Sequence, residues 1–301
     1  MAEEAGALHA PDGFFKRAGR MTGEPARLPL RRSDRIEAAL HRIAAALDRL
    51  APAPVTEADP QTARAMRWDG QHLLAVPPAP TVPLARFVGV EAQIAALRRN
   101  LASLAAGGPA HDMLLWGARG MGKSALVRSL AANIGIALVE TPASALATLP
   151  ALFARLAPAR GPFLVFVDDI AFDGLDERAR ALRSLLDGGV AARPPHVRLA
   201  VTSNHRHLAR REAAEAARHA RDAEDDALAL TDRFGLVLGF HAASQEQYLA
   251  MCRGYLAAEG LALDEVDALA FALARGGRSG RTAWHYRTEV LTRRAAASSN
   301  S

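Results

Sequence analysis

The chain has 301 residues, half of them apolar and 23% charged, with a formal net charge of +5 at pH 7. That length spans one large domain or two ordinary ones, and the apolar half is enough to bury a real core. A single cysteine, Cys252, excludes an internal disulfide and a cysteine-rich metal site, and no apolar run approaches the roughly 20 residues that cross a bilayer.

Residues 1–32 mix Gly, Pro and charge without periodicity and read as a disordered leader. Met1 to Ala10 carries two glutamates and no basic stretch, which is unlike a signal peptide. With so little cysteine, the cytoplasm is the expected compartment. Ser33 offers an N-cap, and Ile36, Leu40, Ile43, Ala44 and Leu47 fall at helical spacing through Leu50. Ala-Pro-Ala-Pro at 51–54 stops that helix, and Pro77-Pro78-Ala79-Pro80 reads as a second linker. Residues 33–83 are therefore expected to be a helical N-terminal extension and linker, with the core starting near Leu84.

From there apolar strands alternate with helices. Ile94, Leu97 and Leu101 mark a helix, Met113–Trp116 a strand, and Lys123–Ala132 a helix. Ala137–Val139 and Phe163–Val167 are further strands, with a helix around 143–157 between them. Asp176–Leu186 is a helix closed by Gly188-Gly189, and Val197–Thr202 is a strand. The alternation predicts a parallel sheet covered on both faces. Residues 209–227 form a mixed-charge helix that is polar nearly all round. From Ser244 the pattern is purely helical, predicting a separate lid over 244–294 after a core over 84–243, with a disordered tail at 295–301.

Gly117-Ala118-Arg119-Gly120-Met121-Gly122-Lys123-Ser124 fits the G-x-x-x-x-G-K-[ST] pattern between a strand and a helix. Its glycines let successive backbone N–H groups turn inward on an anion, and the following helix presents its positive dipole end to the same phosphates. Lys123 would reach the β- and γ-phosphates and the Ser124 hydroxyl would ligate Mg2+. Lys16 and Lys123 are the only lysines beside dozens of arginines. A compact ammonium is therefore kept where a planar guanidinium would not fit.

The strand Phe163–Val167 runs into Asp168-Asp169. Asp168 is expected to hold Mg2+, usually through its water shell. Asp169 would orient the attacking water, with Asp173 as substitute and a plain helix-start acid as the bland alternative. Asn204 ends the next strand, where it would sit between the acids and the γ-phosphate or simply make a turn. Arg233, in Thr231-Asp-Arg-Phe234, is either a finger for a neighbour's ATP or half of a local salt bridge. In Arg278-Ser-Gly-Arg281 a basic residue would cover the γ-phosphate, Arg281 before Arg278, unless the segment is a solvated turn. His205 and His207 alternate without a third ligand, so metal binding there is not expected.

With these elements in this order the sequence resembles an AAA+ ATPase. The resemblance implies sensor 1 at Asn204, an arginine finger at Arg233 and sensor 2 at Arg281. It also implies an adenine pocket lined at Phe87-Val88-Gly89-Val90-Glu91 and nucleotide contacts from Gly117 through Ala125. More narrowly, the chain is similar over roughly 65–293 to domain-of-unknown-function family 815, a bacterial family of predicted AAA+ proteins. That likeness is carried by Leu114–Ser124, Val167–Asp169, Leu185–Gly189, Thr202–Leu208, Thr231–Gly235 and Arg278–Thr282. Ala125 and Asp173 stand where the family has serine and glutamate.

The expected fold is thus an α/β P-loop NTPase of AAA+ type, with a C-terminal helical lid and a helical N-terminal extension. The expected activity is ATP hydrolysis with Mg2+, coupled to remodelling of an unknown partner in a nucleotide-dependent homo-oligomer. An ATP-binding switch without turnover, a DNA-associated ATPase of initiator or helicase-loader kind, and a P-loop kinase are the rivals. The pI of about 10.1 allows nucleic-acid contact, but arginine-rich coding bias gives the same value, and no nucleic-acid-binding motif supports it.

Overall fold

The structure is a computed structural model and describes residues 32–50, 56–170, 177–188, 193–204 and 229–299. The chain divides into two units, residues 1–54 and 55–301. The described part of the first is one helix, α1 (Arg32–Leu50). Ser33, read as its cap, falls inside the first turn, while Ile36, Leu40 and Ile43 keep the expected spacing and are exposed.

The second unit is built on a seven-stranded sheet. In chain order it contains β1 (Ala65–Trp68), β2 (Leu73–Ala75), a 3-10 turn (Leu84–Arg86), α2 (Glu91–Ala105), β3 (Met113–Gly117), α3 (Lys123–Ile134) and β4 (Ala137–Glu140). A 3-10 turn (Ala143–Thr148), α4 (Leu149–Leu156), β5 (Phe163–Val167), α5 (Glu177–Leu186), β6 (Val197–Ser203) and β7 (Leu236–Phe240) follow. Three helices end the unit: α6 (Gln245–Ala257), α7 (Glu265–Ala274) and α8 (Gly280–Ser299). The strand order is β2-β1-β4-β5-β6-β3-β7, parallel throughout except for β2.

Alternation along the strands explains why the sheet is covered twice. Met113, Leu115, Leu164, Phe166 and Ala200 point into a cluster with Leu97 and Leu101 of α2 and Leu126 and Leu130 of α3. Leu114, Phe163, Val165, Val167, Leu199 and Val201 point the other way, onto Leu149, Leu152 and Phe153 of α4 and Leu182 of α5. Side chains on successive strand residues face opposite sides, so a run apolar at every position has two faces to bury.

Five features differ from the sequence reading, the simplest being that α8 continues to Ser299, through most of the stretch expected as a disordered tail. Residues 65–75, assigned there to the extension and linker, are strands of the sheet. β1 pairs with β4 and β2, with Met66 and Trp68 buried and Arg67 exposed. β7 was not anticipated, because Gly239 interrupts its short apolar run. The helix expected over 143–157 opens as a 3-10 turn and becomes α-helical at Leu149, with Pro150 in its first turn, where a missing N–H costs nothing. The C-terminal helices are not a separate body: Tyr248, Cys252, Leu256 and Tyr286 share the cluster of α2 and α3. Cys252 is buried there, and burial pushes its thiol up to about 11. The polar helix expected at 209–227 lies outside the described residues.

Candidate functional site

The C-terminal ends of β3, β5 and β6 lie side by side and deliver Gly117, Asp168-Asp169 and Asn204 to one edge of the sheet. Each glycine of the loop has a local reason. Gly117 has φ +122°, and a Cβ there would lie 2.1 Å from the Phe240 carbonyl oxygen of β7. Gly122 has φ +86° and lies against the Phe87 ring, 3.0 Å from where a Cβ would sit. Such backbone angles are strained for any side chain, so the turn is available only to glycine.

Lys123 opens α3 and is only 6% exposed. Its ammonium donates to the Gly117 carbonyl (2.9 Å), the Ala118 carbonyl (3.0 Å) and Asn204 Oδ1 (2.8 Å). All three of its N–H groups therefore have acceptors. Burial holds its pKa below the ordinary lysine value, against the opposing pull of Asp169 and Asp168.

Asp168 Oδ1 accepts from Ser124 Oγ and from Thr202 Oγ1, each at 2.5 Å. Its other oxygen lies 3.5 Å from Arg128 Nη2. Arg128 also donates to Glu140 (2.6 Å) and lies over the Phe166 ring at 5.3 Å. Asp169 is the only non-glycine residue with positive φ (+56°) among the described residues. Its N–H donates to Thr202 Oγ1 (2.8 Å), and its carboxylate accepts from Asn204 Nδ2. Asn204 thus bridges Lys123 and Asp169. Thr202 ties both aspartates to β6.

These groups open onto a cavity of about 770 Å³, within the usual range for small-molecule sites. Arg119, Gly120, Met121, Gly122, Lys123, Ser124 and Ala125 line it, as do Val88 and Arg281, whereas Arg278 does not. Phe87, Val90, Met251, Tyr255 and Trp284 line it too. Tyr255 and Trp284 meet edge to face with centroids 5.4 Å apart. The lining combines the cations of Lys123, Arg119 and Arg281 with apolar and aromatic side chains, which suits a ligand that carries both phosphates and a flat base.

The lid touches the loop directly. The Arg281 N–H donates to the Gly120 carbonyl at 3.0 Å, and a Cβ on Gly120 (φ +77°) would come within 2.7 Å of Ser279 Oγ. Arg233 is not among the residues lining the cavity. Its Nε donates to Asp187 Oδ1 at 2.5 Å and its Nη1 to the Ala229 carbonyl. Within one chain, then, Arg233 is the partner of a local salt bridge. Asp173, His205 and His207 lie outside the described residues.

The donor set fits Mg2+. A hydroxyl and a carboxylate oxygen converge at Ser124 and Asp168, both hard oxygen donors. Among the described residues no group of three or more His, Cys, Asp or Glu could hold a metal alone. A cation here would complete its shell with phosphate and water.

Sequence reasoning missed several lining residues. The stretch Pro80–Pro83, read as linker, forms part of the cavity wall, and the Val82 N–H donates to Ser129 Oγ at 2.9 Å. Thr202 is legible in sequence only as a strand end and as part of the resemblance. Arg128, Tyr255 and Trp284 sit on helices whose spacing gives no hint of a ligand.

Residues 61–294 match the family described as "Protein of unknown function (DUF815)". No curated protein matches the sequence. Among solved structures, a mutant of Thermotoga maritima RuvB superimposes with TM-score 0.51 at 15% identity, over 73% of this chain and 67% of that one. A second RuvB mutant from that organism gives 0.50 at 18% identity, over 70% and 66%. Aeropyrum pernix Orc1, in a complex with DNA, gives 0.47 at 19% identity, over 71% and 62%. The chain spans about two thirds of the RuvB chains, and at such identities the likeness speaks to fold. With the phosphate loop at the end of a parallel strand and the helical lid docked on it, the chain belongs to the DUF815 family and has the AAA+ form of the P-loop fold.

Proposed function

We propose that this protein binds ATP with Mg2+ in the cavity above the Gly117–Ser124 loop and hydrolyses it to ADP and phosphate. The observation that carries the reading is the Lys123–Asn204–Asp169 bridge at the loop. It sets a buried cation, an amide and a carboxylate in one line of hydrogen bonds. The base would lie against the apolar side chains of Val88 and Tyr255, and the phosphates against the Gly117–Ser124 loop.

Ser124 directly, and Asp168 through water, would hold Mg2+, which supplies charge neutralisation at the phosphates. Lys123 and Arg281 would balance the charge on the γ-phosphoryl oxygens and the charge that grows on the β–γ bridging oxygen as it takes the electron pair of the breaking bond. Asp169 accepts a hydrogen bond from the attacking water and takes its proton, and Asn204 fixes the carboxylate for that role. Arg233 serves the γ-phosphate of a neighbouring copy, so that nucleotide favours a homo-oligomer whose motion acts on a macromolecular partner in the cytoplasm.

A specific observation favours a second reading, an ATP-held switch with little turnover. The Asp169 carboxylate sits on a short side chain and is already engaged by Asn204. The two readings part on one measurement. Phosphate release without any added acceptor supports the hydrolase and sinks a kinase. We expect Asp169→Asn to bind ATP within a fewfold of the parent and to lower turnover roughly 100-fold or more, the ordinary scale for a general base. Full turnover in that variant would move the base elsewhere.

A further inference from the structure

Asp187 follows α5, in the turn that leads toward β6, and Arg233 stands just before β7. The two backbones are anchored in one apolar cluster, in which Leu182, Leu230 and Phe234 are buried. Between them the side chains meet near the surface, Arg233 one-third exposed (33%) and Asp187 half exposed (52%). Among the described residues, Arg233 donates from Nε to Asp187 and from Nη1 to the Ala229 carbonyl. A guanidinium has five donors in a rigid fork, so contacts at two of its nitrogens fix its plane and use two of those donors.

We propose that Asp187 is a positioning residue for Arg233, fixing the guanidinium so that its outward N–H groups meet the γ-phosphate held by a second copy of this chain. The inference rests on the finger role of Arg233. An ion pair this exposed contributes little to folding stability. Its consequence is orientation. A long arginine side chain loses rotamer freedom when it engages phosphate, and a side chain already fixed avoids most of that loss at the encounter.

The test is self-association of the full chain, measured by sedimentation with Mg2+ and ATP, and separately with ADP. Asp187→Ala should weaken ATP-state association roughly three- to tenfold, the scale of ordering one such side chain. ADP-state association and affinity for a fluorescent ATP analogue should stay within twofold. Asp187→Asn, which keeps the acceptor oxygen, should recover most of the loss. The double variant with Arg233→Ala should be no weaker than Arg233→Ala alone, because the two residues act through one contact. In turnover, a mixture of Asp187→Ala with Lys123→Ala should regain activity, and a mixture with Arg233→Ala should not. Wild-type association and turnover in Asp187→Ala, beside losses in Arg233→Ala, would overturn the proposal and leave the finger standing. A gain in Asp187→Ala would also overturn it, by making the pair a latch. Wild-type behaviour of Arg233→Ala would remove the finger reading and this inference together.

Discussion

Lys123 and Arg233 hold their charges in opposite ways. Lys123 is nearly sealed, and three oxygens of its own chain satisfy it before any ligand arrives. Arg233 is a third exposed and, among the described residues, is tied to Asp187 and the Ala229 carbonyl. Displacing a carbonyl from Lys123 in favour of a phosphate exchanges one hydrogen bond for a stronger, charge-assisted one. Nothing of that kind is available to Arg233 within its own cavity, since it does not line it. On the proposed function this difference divides the labour: binding would be completed inside one chain, and part of the transition-state charge would be met from outside.

Three variants bear on that division, and the largest effect is expected at the edge. Arg233→Ala should lower turnover on the order of 10³-fold, the low end for an arginine finger, with ATP affinity unchanged. Mixing it with Lys123→Ala should return part of the activity, because one protein keeps the loop and the other keeps the finger. Loss without complementation would place Arg233's action within its own chain and erase the contrast. Lys123→Ala itself should cost roughly 100-fold in ATP affinity, the scale of losing one buried, hydrogen-bonded charge, while circular dichroism shows the fold kept. An affinity within threefold of the parent would break the other half of the comparison.

The smallest effect concerns stability against pH. Burial lowers the Lys123 pKa in the folded chain below its ordinary 10.5. The unfolded chain therefore binds that proton more firmly. Stability from this group rises with pH, from the lowered folded value up to the ordinary one. Comparing denaturant midpoints of the parent and Lys123→Met as pH is raised toward 10.5 isolates it. The parent should gain relative to the variant as pH rises. Parallel slopes would show that the ammonium is not desolvated.

What could be read from sequence was what is local. The loop announces itself because its glycines and Lys123 answer to backbone angles and an anion within eight residues, and Asp168 because an apolar strand ends on it. Asn204 is legible as a polar residue at a strand end beside the acids, but its bond to Lys123 is not. β1 was hidden because four residues with one alternation, Met66 in and Arg67 out, do not distinguish a strand from a linker. The Pro80–Pro83 wall was hidden because proline spacing is the same in a free linker and in a segment pinned by Ser129. Arg128 and Thr202 depend on partners 12 to 40 positions away in sequence, which no periodicity encodes. Asp187 carried no signal of its own until the fold brought it to Arg233.

The contact between the Arg281 N–H and the Gly120 carbonyl is made entirely by the main chain. Truncating the Arg281 side chain would remove its charge from the γ-phosphate end and still leave the lid fastened to the loop. Only a residue without an N–H, proline, would cut the fastening itself. Sequence drift at position 281 can therefore retune electrostatics without loosening the mechanical linkage. How long a nucleotide resides under the lid is then governed separately from how fast it reacts.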